Sequence, residues 1–335
     1  MENVGILFGG PSVEHEVSIV SARGVLDNID RKSFNPVPLY QDREKNWYSP
    51  SLSLKVLEGK KVKGRPQSLE KLIEEYDIKL AFPLIHGTFG EDGTIQGWLE
   101  ALNIKYVGCG VKASAIGMDK EVSKKIWERD GLPVVPYLKI LKENYKEELE
   151  KIKNKIEYPV FVKPADSGSS VGITKVKEEK DLKKAIDKAF KITRKILIEK
   201  AIEGREIEVS VLGSYEPELI SPPGEIVPSK EFYDYEDKYK LNKAGLLVPA
   251  PLSEELVLRF KELAKKAFVS IDGYGMARVD FFLEKNRKIY INEINTIPGF
   301  TPISMYPKLL SLCGLSYGEV ITKLLKLAYN RKQVF

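Results

Sequence analysis

Apolar runs alternate with segments of helical spacing over the first 110 residues of the chain. Four runs have the composition of short strands: "VGILFG" (4–9), "NPVPLY" (35–40), "KLAFPLIHG" (79–87) and "KYVGCG" (105–110). Between them, residues 14–29 and 93–104 carry apolar positions at the period of an amphipathic helix. Strands that alternate with helices predict a parallel sheet with helices on its faces, and we expect this first domain to end near residue 110.

The order of predicted elements changes after residue 110. Residues 118–136 have a helical pattern with Asp119 at the N-cap position. A β–β–α–β block follows, with its elements over 158–164, 171–176, 179–192 and 195–202. The rest of the chain contains a strand (205–213), a long helix (254–271), two β-rich runs and a closing helix (318–330). These patterns predict an α/β protein, α+β in parts, with domains over 1–110, 111–200 and 201–335.

Composition narrows the class of protein. The chain has 335 residues, too many for one compact core, and 43% hydrophobic with 30% charged residues is typical of a globular protein. No run of 18 apolar residues and no secretory signal is visible, and only two cysteines occur, so we expect a cytoplasmic protein without disulfides. The net charge of +5 is spread among interleaved Lys and Glu, which argues against nucleic-acid binding and suits a polyphosphate pocket.

The two β-rich runs carry the strongest candidate chemistry. They flank "EKNRK" within residues 275–295 and predict an antiparallel hairpin, in which a two- or four-residue loop would pair Asp280 with Ile291 or Glu293. Either register places four polar side chains on one face: Arg278, Asp280, Glu293 and Asn295. Two carboxylates and an amide oxygen suit Mg²⁺, and an arginine beside them could neutralise an oxyanion. The alternative is a surface hairpin whose polar face makes salt bridges. It stays open because Asn292, a polar residue on the other face, interrupts the alternating pattern.

A second candidate is a loop with the composition of a phosphate-binding site. "KPADSGSSVG" (163–172) follows a strand, and its small residues would let backbone N–H groups approach a polyphosphate. It lacks the Gly-Lys-Ser/Thr of a Walker A loop, so an ordinary flexible hairpin is the alternative. Lys120 and Lys163 are further candidates for phosphate contact. The linker 197–208 could present its backbone to an adenine edge, with Glu206 available to ribose hydroxyls.

Several motifs, in order along nearly the whole chain, resemble those of the D-alanine–D-alanine ligases of the ATP-grasp superfamily. They are "GGPSVEHEVS" (9–18), "HGTFGEDGTIQG" (86–97), "MDK" (118–120), "VKPADSGSSVG" (162–172), "EFYDYEDKY" (231–239) and "ARVDFFLEKNRKIYINEINTIPGF" (277–300). The resemblance implies a three-domain ATP-grasp architecture. It also implies an ATP-dependent ligase that joins two D-alanines for peptidoglycan, and hence for the cell wall and cell shape.

The resemblance also implies how ATP and metal are bound. ATP would lie between the second and third domains, against Lys120, Lys163, Ser167, Ser169, Ser170, Glu199, Lys200, Ala201, Ile202, Glu206 and Lys238. Asp280 and Glu293 would bind one Mg²⁺, and Glu293 with Asn295 a second; Mn²⁺ could substitute for either.

The substrate and catalytic residues follow from the same resemblance. Glu14 would hold the ammonium of the first D-alanine, with His86 near its carboxylate. Ser304 and the Met305 backbone would hold the carboxylate of the second. Arg278 and the Gly299 N–H would stabilise the tetrahedral oxyanion. Tyr239, on a mobile loop, would hydrogen-bond with Ser169 and Glu14.

Other interpretations of the sequence compete with this one. A Rossmann dehydrogenase fails because no G-x-G-x-x-G follows the first strand. A ligase making D-alanyl-D-lactate or D-alanyl-D-serine, and a non-catalytic nucleotide-binding protein of the same fold, stay open. From the residues alone His15 is interpreted as a surface histidine without a role, and the resemblance implies a homodimer.

Overall fold

The computed structural model describes residues 1–169, 171–228 and 245–331. The strands are β1 Glu2–Gly9, β2 Phe34–Gln41, β3 Trp47–Tyr48, β4 Leu80–Pro83, β5 Lys105–Tyr106, β6 Tyr137–Leu141, β7 Val160–Pro164, β8 Thr174–Val176, β9 Lys195–Lys200, β10 Gly204–Gly213, β11 Pro217–Ile220, β12 Gly224–Val227, β13 Gly245–Leu247, β14 Gly275–Glu284 and β15 Ile289–Asn295. The helices are α1 His15–Asn28, α2 Pro50–Leu57, α3 Leu69–Glu75, α4 Thr94–Ala101, α5 Val111–Met118, α6 Lys120–Arg129, α7 Tyr145–Ile152, α8 Glu179–Ala189, α9 Glu254–Ser270, α10 Met305–Ser311 and α11 Tyr317–Asn330, with short 3-10 helices at Lys142–Asn144 and Lys153–Lys155.

The first sheet is parallel, as the alternating pattern predicts. Its strand order is β3-β2-β1-β4-β5, and only β3 runs antiparallel, to β2. The two-residue strand β3 was not predicted, because so short an edge strand carries no period of its own. The predicted strand over 79–87 is shorter in the structure. It ends at Pro83, although Leu84 N–H still donates to the Leu7 carbonyl at 2.8 Å.

The second sheet is antiparallel, in the order β6-β9-β7-β8, with α8 packed against it. The predicted β–β–α–β block is confirmed as β7, β8, α8 and β9. Strand β6 and helix α7 were missed. Only Ile140 is fully buried in β6, and no residue of α7 is, so neither element has a strong apolar pattern.

The predicted hairpin belongs to the third sheet, in which β14 is an interior strand and β15 is an edge strand. Its order is β13-β12-β10-β14-β15, with β11 also pairing β10. Strand β14 pairs along its ten residues with β10 and on its other side with β15. The hairpin is therefore confirmed, and of the two predicted pairings Asp280 opposite Glu293 is right. Neither predicted loop length is right, because Glu284 pairs with Lys288 around a three-residue loop, and one extra residue on β15 then brings Glu293 opposite Asp280. Helix α9 packs against β10, β11 and β14.

The hydrophobic cores join segments that are distant in sequence. Helix α11 packs in the same cluster as β1 and β4, near the other end of the chain. Trp127 on α6 packs with Phe260 and Phe268 on α9. Boundaries at residues 110 and 200 stay a prediction. The described helices include none with the length and apolar character needed to cross a membrane.

Replacing Phe260 with alanine should lower the free energy of unfolding by about 3–5 kcal/mol. The Phe260 ring is fully buried and lies edge-on to Phe281, with centroids 5.2 Å apart. Leu258 on the same helix is 68% exposed, and Leu258→Ala should change stability by less than about 0.5 kcal/mol. Urea denaturation followed by circular dichroism compares the two. Equal losses would contradict the packing of α9.

Candidate active site

The register of β14 on β15 places the four predicted polar side chains on one face. Arg278 lies opposite Asn295 and Asp280 opposite Glu293, but the next pair is Phe281 with Ile291. Asn292 is therefore the extra residue of a β-bulge, which explains its odd position in the sequence pattern. The intervening Val279 and Phe281 are buried in the core beneath.

Arg278 is bound by carboxylates on two strands. Its Nε and Nη2 donate to the two oxygens of Asp280, each at 2.7 Å, and Nε lies 3.1 Å from Glu208 Oε2 on β10. Burial disfavours the charge on Arg278, but Asp280 and Glu208 outweigh it and raise its pKa further above the usual range. Asn295 Nδ2 also donates to Asp280, at 2.9 Å. The guanidinium is thus held rigidly beside the carboxylates.

The same face fits a hard divalent cation. Asp280, Glu293 and the amide oxygen of Asn295 are partly exposed on one ribbon. Among the described residues no group of three or more His, Cys, Asp or Glu side chains could hold a metal by itself. Two carboxylates and an amide are the partial set that Mg²⁺ uses when phosphate oxygens and water complete its coordination.

A buried ion cluster lies beside this face. Glu199 on β9 is 1% exposed, with Lys163 Nζ 2.7 Å from one carboxylate oxygen and Lys124 Nζ 3.2 Å from the other. Burial acts to raise the pKa of Glu199, yet the two ammonium groups prevail and lower it. Burial lowers the pKa of Lys124, which has no solvent-exposed surface. Lys163 Nζ also donates to Asn292 Oδ1 at 3.3 Å, which links the cluster to the bulge of β15.

Lys120 joins the hairpin to the serine-rich loop. Its Nζ donates to the Ser167 carbonyl at 2.8 Å and lies 3.2 Å from Glu293 Oε2. Asp119 caps α6, as predicted, by accepting from the N–H groups of Glu121 and Val122, and this cap fixes Lys120 at the first helical position. Ser167 Oγ donates to the Val171 carbonyl at 3.2 Å, and Ser169 has a positive φ of 55°. The loop thus folds back on itself above the hairpin.

Glu14, just before α1, reaches the same region from the first sheet. A Cβ at Gly87 would lie 2.8 Å from Glu14 Oε2, and one at Gly168 would lie 3.6 Å from it. A side chain at Gly87 would also be strained by its φ of +74°. Glu14 is therefore close to both the loop after β4 and the serine-rich loop.

The two histidines are both buried. His86 donates from Nδ1 to the Ile297 carbonyl at 3.0 Å, and its Nε2 lies 3.0 Å from Ser21 Oγ, so the hydroxyl donates to it. Burial lowers the pKa of His86 and favours this neutral form. The interpretation of His15 as a surface residue is wrong. It is 3% exposed, because its ring joins the Gly10 carbonyl (2.6 Å) to the Tyr40 hydroxyl (3.1 Å).

Glu91 lies between Glu14 and the end of the hairpin. It accepts from Gly87 N–H at 2.8 Å with Oε1 and from Ile297 N–H at 3.3 Å with Oε2. Loss of hydration and then the Glu14 carboxylate raise the pKa of Glu91 to about 8, although both N–H bonds and Arg278 act in the opposite direction.

The predicted second-substrate residues form a small cluster after the hairpin. Ser304 is the N-cap of α10, and its Oγ accepts from Thr301 N–H at 3.1 Å. A Cβ at Gly299 would lie 3.2 Å from Ser304 Oγ, so the two predicted residues are neighbours. The Met305 side chain packs with Ile226 and Leu309, which leaves only its backbone as a candidate contact.

The remaining predicted residues lie on the linker and beyond the described residues. Lys200 is exposed, its N–H donates to the Pro136 carbonyl at 3.0 Å, and Ala201 N–H donates to the Pro159 carbonyl at 3.1 Å. Their carbonyls and the half-buried Ile202 remain candidates for adenine contact. Glu206 on β10 pairs with Phe282, two positions from the Glu208–Asp280 pair, and so shares the hairpin's polar face. Ser170, Lys238 and Tyr239 fall outside the described residues.

Lys124, Glu208 and Glu91 were not singled out from the sequence. Lys124 lies in a lysine-rich helix that resembles a solvated surface, and Glu91 in a glycine-rich loop. Only for Glu208 was a signal present, because its alternation with Glu206 along β10 places both on one face.

Comparisons with known proteins agree with this geometry. A family model described as D-ala D-ala ligase N-terminus matches residues 3–109, and one described as D-ala D-ala ligase C-terminus matches residues 126–326. The D-alanine--D-alanine ligase of Natranaerobius thermophilus is 46% identical, covering 98% of this chain and 95% of the relative. That of Geobacillus thermodenitrificans is 44% identical, covering 98% and 96%.

Solved structures show the same fold. The VanG D-Ala:D-Ser ligase of Enterococcus faecalis superposes with a TM-score of 0.86 at 32% identity, covering 98% of this chain and 99% of that one. The D-alanine-D-alanine ligase of Coxiella burnetii gives 0.83 at 34% identity, covering 99% and 96%. The predicted α/β fold of the ATP-grasp type is therefore confirmed.

Replacing Lys124 with methionine should lower the free energy of unfolding by about 3 kcal/mol, because Glu199 would keep its buried charge with one partner fewer. Lys125, the next residue, has a 62% exposed side chain paired with Glu121. Lys125→Met should cost less than about 1 kcal/mol. Thermal and urea unfolding of both variants would test this. A loss no larger at position 124 than at 125 would mean that the buried cluster does not need Lys124.

Proposed function

Because the chain belongs to the D-alanine–D-alanine ligase family, we propose that the residues brought together above carry out the family's reaction. The chain is an ATP-dependent ligase that joins two D-alanines, a step in making the peptidoglycan precursor. The observation that most supports the residue assignment is the single polar face of Arg278, Asp280, Glu293 and Asn295, with Lys120 joining it to the serine-rich loop.

ATP is proposed to bind between the second and third sheets. Lys120 and Lys163 would contact its phosphates, and the backbone of the serine-rich loop would donate to them. Glu199 would orient Lys163, since the two are 2.7 Å apart in a nearly dry setting. The linker 199–202 would contact the adenine, and Glu206 the ribose.

The family's reaction uses a divalent metal, and two Mg²⁺ ions are proposed here. Asp280 and Glu293 would hold one, and Glu293 with Asn295 the other. A cation bound there would neutralise the charge of the phosphates during phosphoryl transfer. Arg278 and Lys120, which balance these carboxylates in the structure, would then lie within reach of the reacting groups.

The chemistry proceeds in two steps. The carboxylate of the first D-alanine attacks the γ-phosphorus of ATP, which breaks the bond to ADP and forms an acyl phosphate beside the bound ADP. The amine of the second D-alanine attacks the activated carbonyl, and phosphate leaves as the peptide bond forms. Glu14 would hold the first ammonium. Arg278 and the Gly299 N–H would stabilise the tetrahedral oxyanion.

The remaining assignments concern the second substrate and closure of the site. Ser304 and the Met305 backbone would bind the second carboxylate. Lys238 would reach the transferred phosphoryl group, and Tyr239 would join Ser169 to Glu14. The position of Gly168 beside Glu14 supports such a junction. Closure there would protect the acyl phosphate from water.

His86 would support the first-substrate site without bonding to the substrate itself, because both of its ring nitrogens already have protein partners. A homodimer is proposed from the family resemblance, and the native mass tests it.

The first experiment measures ADP release from Mg-ATP with D-alanine, L-alanine, or D-alanine mixed with D-serine or D-lactate, and identifies the products by mass. D-alanyl-D-alanine formed from D-alanine and not from L-alanine is expected. A preferred mixed product with D-serine would move the second-site specificity toward that of the Enterococcus relative. No D-alanine-dependent ADP would contradict the proposal.

Asp280→Asn and Glu293→Gln should each lower kcat by at least about 100-fold, since each removes a charged oxygen where the phosphate charge must be balanced. The control is Asp187→Asn, because Asp187 forms a surface pair with Lys183 and its loss should leave kcat unchanged. Circular dichroism must match the unmodified protein in all three. Near-normal turnover in either active-site variant would make the metal assignment wrong.

A further inference from the structure

Ile297 is held on both sides by the loop that follows β4. Its N–H donates to Glu91 Oε2 at 3.3 Å, and its carbonyl accepts from His86 Nδ1 at 3.0 Å. These contacts span more than 200 positions of sequence. The loop therefore fixes both backbone polar groups of one residue, two positions before Gly299.

The chain is anchored again directly after Gly299. Phe300 is fully buried, with its ring near those of Phe82, Tyr306 and Tyr317. The Phe300 carbonyl accepts from the Tyr317 hydroxyl at 2.6 Å. Between these two anchors lie only Pro298, whose ring fixes φ, and Gly299. The direction of the Gly299 N–H is thus set by what holds Ile297 and Phe300.

A carboxyl group is a costly choice for the Ile297 anchor, because burial and the Glu14 carboxylate disfavour its charged form. Glu91 lies near Glu14, another acid, and Arg278 is the charge that opposes this repulsion, because His86 is neutral. An amide could accept one of its two N–H bonds without this repulsion. Only a carboxyl group offers two oxygens that accept, from Gly87 and from Ile297, at once.

We propose that Glu91 is a positioning residue that, together with His86, aims the Gly299 N–H at the oxyanion of the second chemical step. The inference rests on the proposed role of Gly299. Glu91 touches no reacting atom and acts through Ile297. The bland alternative is that Glu91 only fastens the first sheet to the third, in which case its loss would alter stability and not the fate of the acyl phosphate.

The test uses Glu91→Gln in the full chain. Glutamine has one carbonyl oxygen, so it can accept from Gly87 or from Ile297 but not from both. Positional isotope exchange in oxygen-labelled ATP reports return of the acyl phosphate to ATP, and dipeptide formation reports its forward reaction. The ratio of exchange to turnover should rise by about 10- to 100-fold, because a misplaced donor slows only the second step. The affinity for ATP should stay within about 2-fold, since the phosphate contacts are untouched.

The matched control is Glu148→Gln. Glu148 Oε2 accepts from Leu141 N–H at 2.9 Å in the second sheet, a bond of the same kind away from the cleft. It should leave the exchange ratio unchanged. Hydrogen exchange should show the Ile297 amide less protected in Glu91→Gln and unaltered in Glu148→Gln.

An unchanged ratio of exchange to turnover in Glu91→Gln would overturn the inference. If both rates stayed normal, Glu91 would have only a structural role; if both fell in parallel, Glu91 would act in the first step instead. Failure of the proposed function is seen separately, because the unmodified protein would then release no ADP with D-alanine. The hydrogen-exchange comparison needs no turnover and still tests the anchor.

Discussion

The pairing of Asp280 with Glu293 across β14 and β15 is the constraint on which the active site depends. A shift of one residue in this register would turn the polar set into the core and bring Val279 and Phe281 to the surface. The shift is prevented twice: β14 is paired with β10 along its length, and its apolar face is buried under α9. The bulge at Asn292 then brings a third polar side chain of β15 to Lys163 without disturbing the alternation at Glu293 and Asn295.

Charge balance around this ribbon is the second organising feature. Two acids of the site have cations from other elements: Lys120 from α6 lies beside Glu293, and Lys124 and Lys163 enclose Glu199. Buried ion pairs of this kind add little to stability relative to apolar packing. Their value is in position, because an ammonium held by a buried carboxylate cannot turn away when a phosphate arrives.

The features of the site that could be predicted from the sequence are those whose residues carry a local pattern. The hairpin was predictable because Arg278, Asp280, Glu293 and Asn295 alternate with apolar residues, and the cap at Asp119 because capping is a local interaction. The register could be narrowed to two choices only, since the bulge at Asn292 is decided by packing. The burial of Lys124 and His15 could not be predicted for the same reason. Their burial follows from Glu199 and Tyr40, each distant along the chain.

The loop from His86 to Glu91 shows why the first sheet belongs to the active site. At one end Gly87 lies against Glu14, the proposed contact of the first substrate, and the loop as a whole holds Ile297 ahead of Gly299. The positions of the first substrate and of the proposed oxyanion donor are therefore both set by contacts with the same short segment. If that segment moves, both move together, so the distance between the activated carbonyl and the N–H that must receive its charge is preserved. If only the third sheet held the donor, nothing would fix its distance from the activated carbonyl, because the first substrate is bound by a different part of the chain.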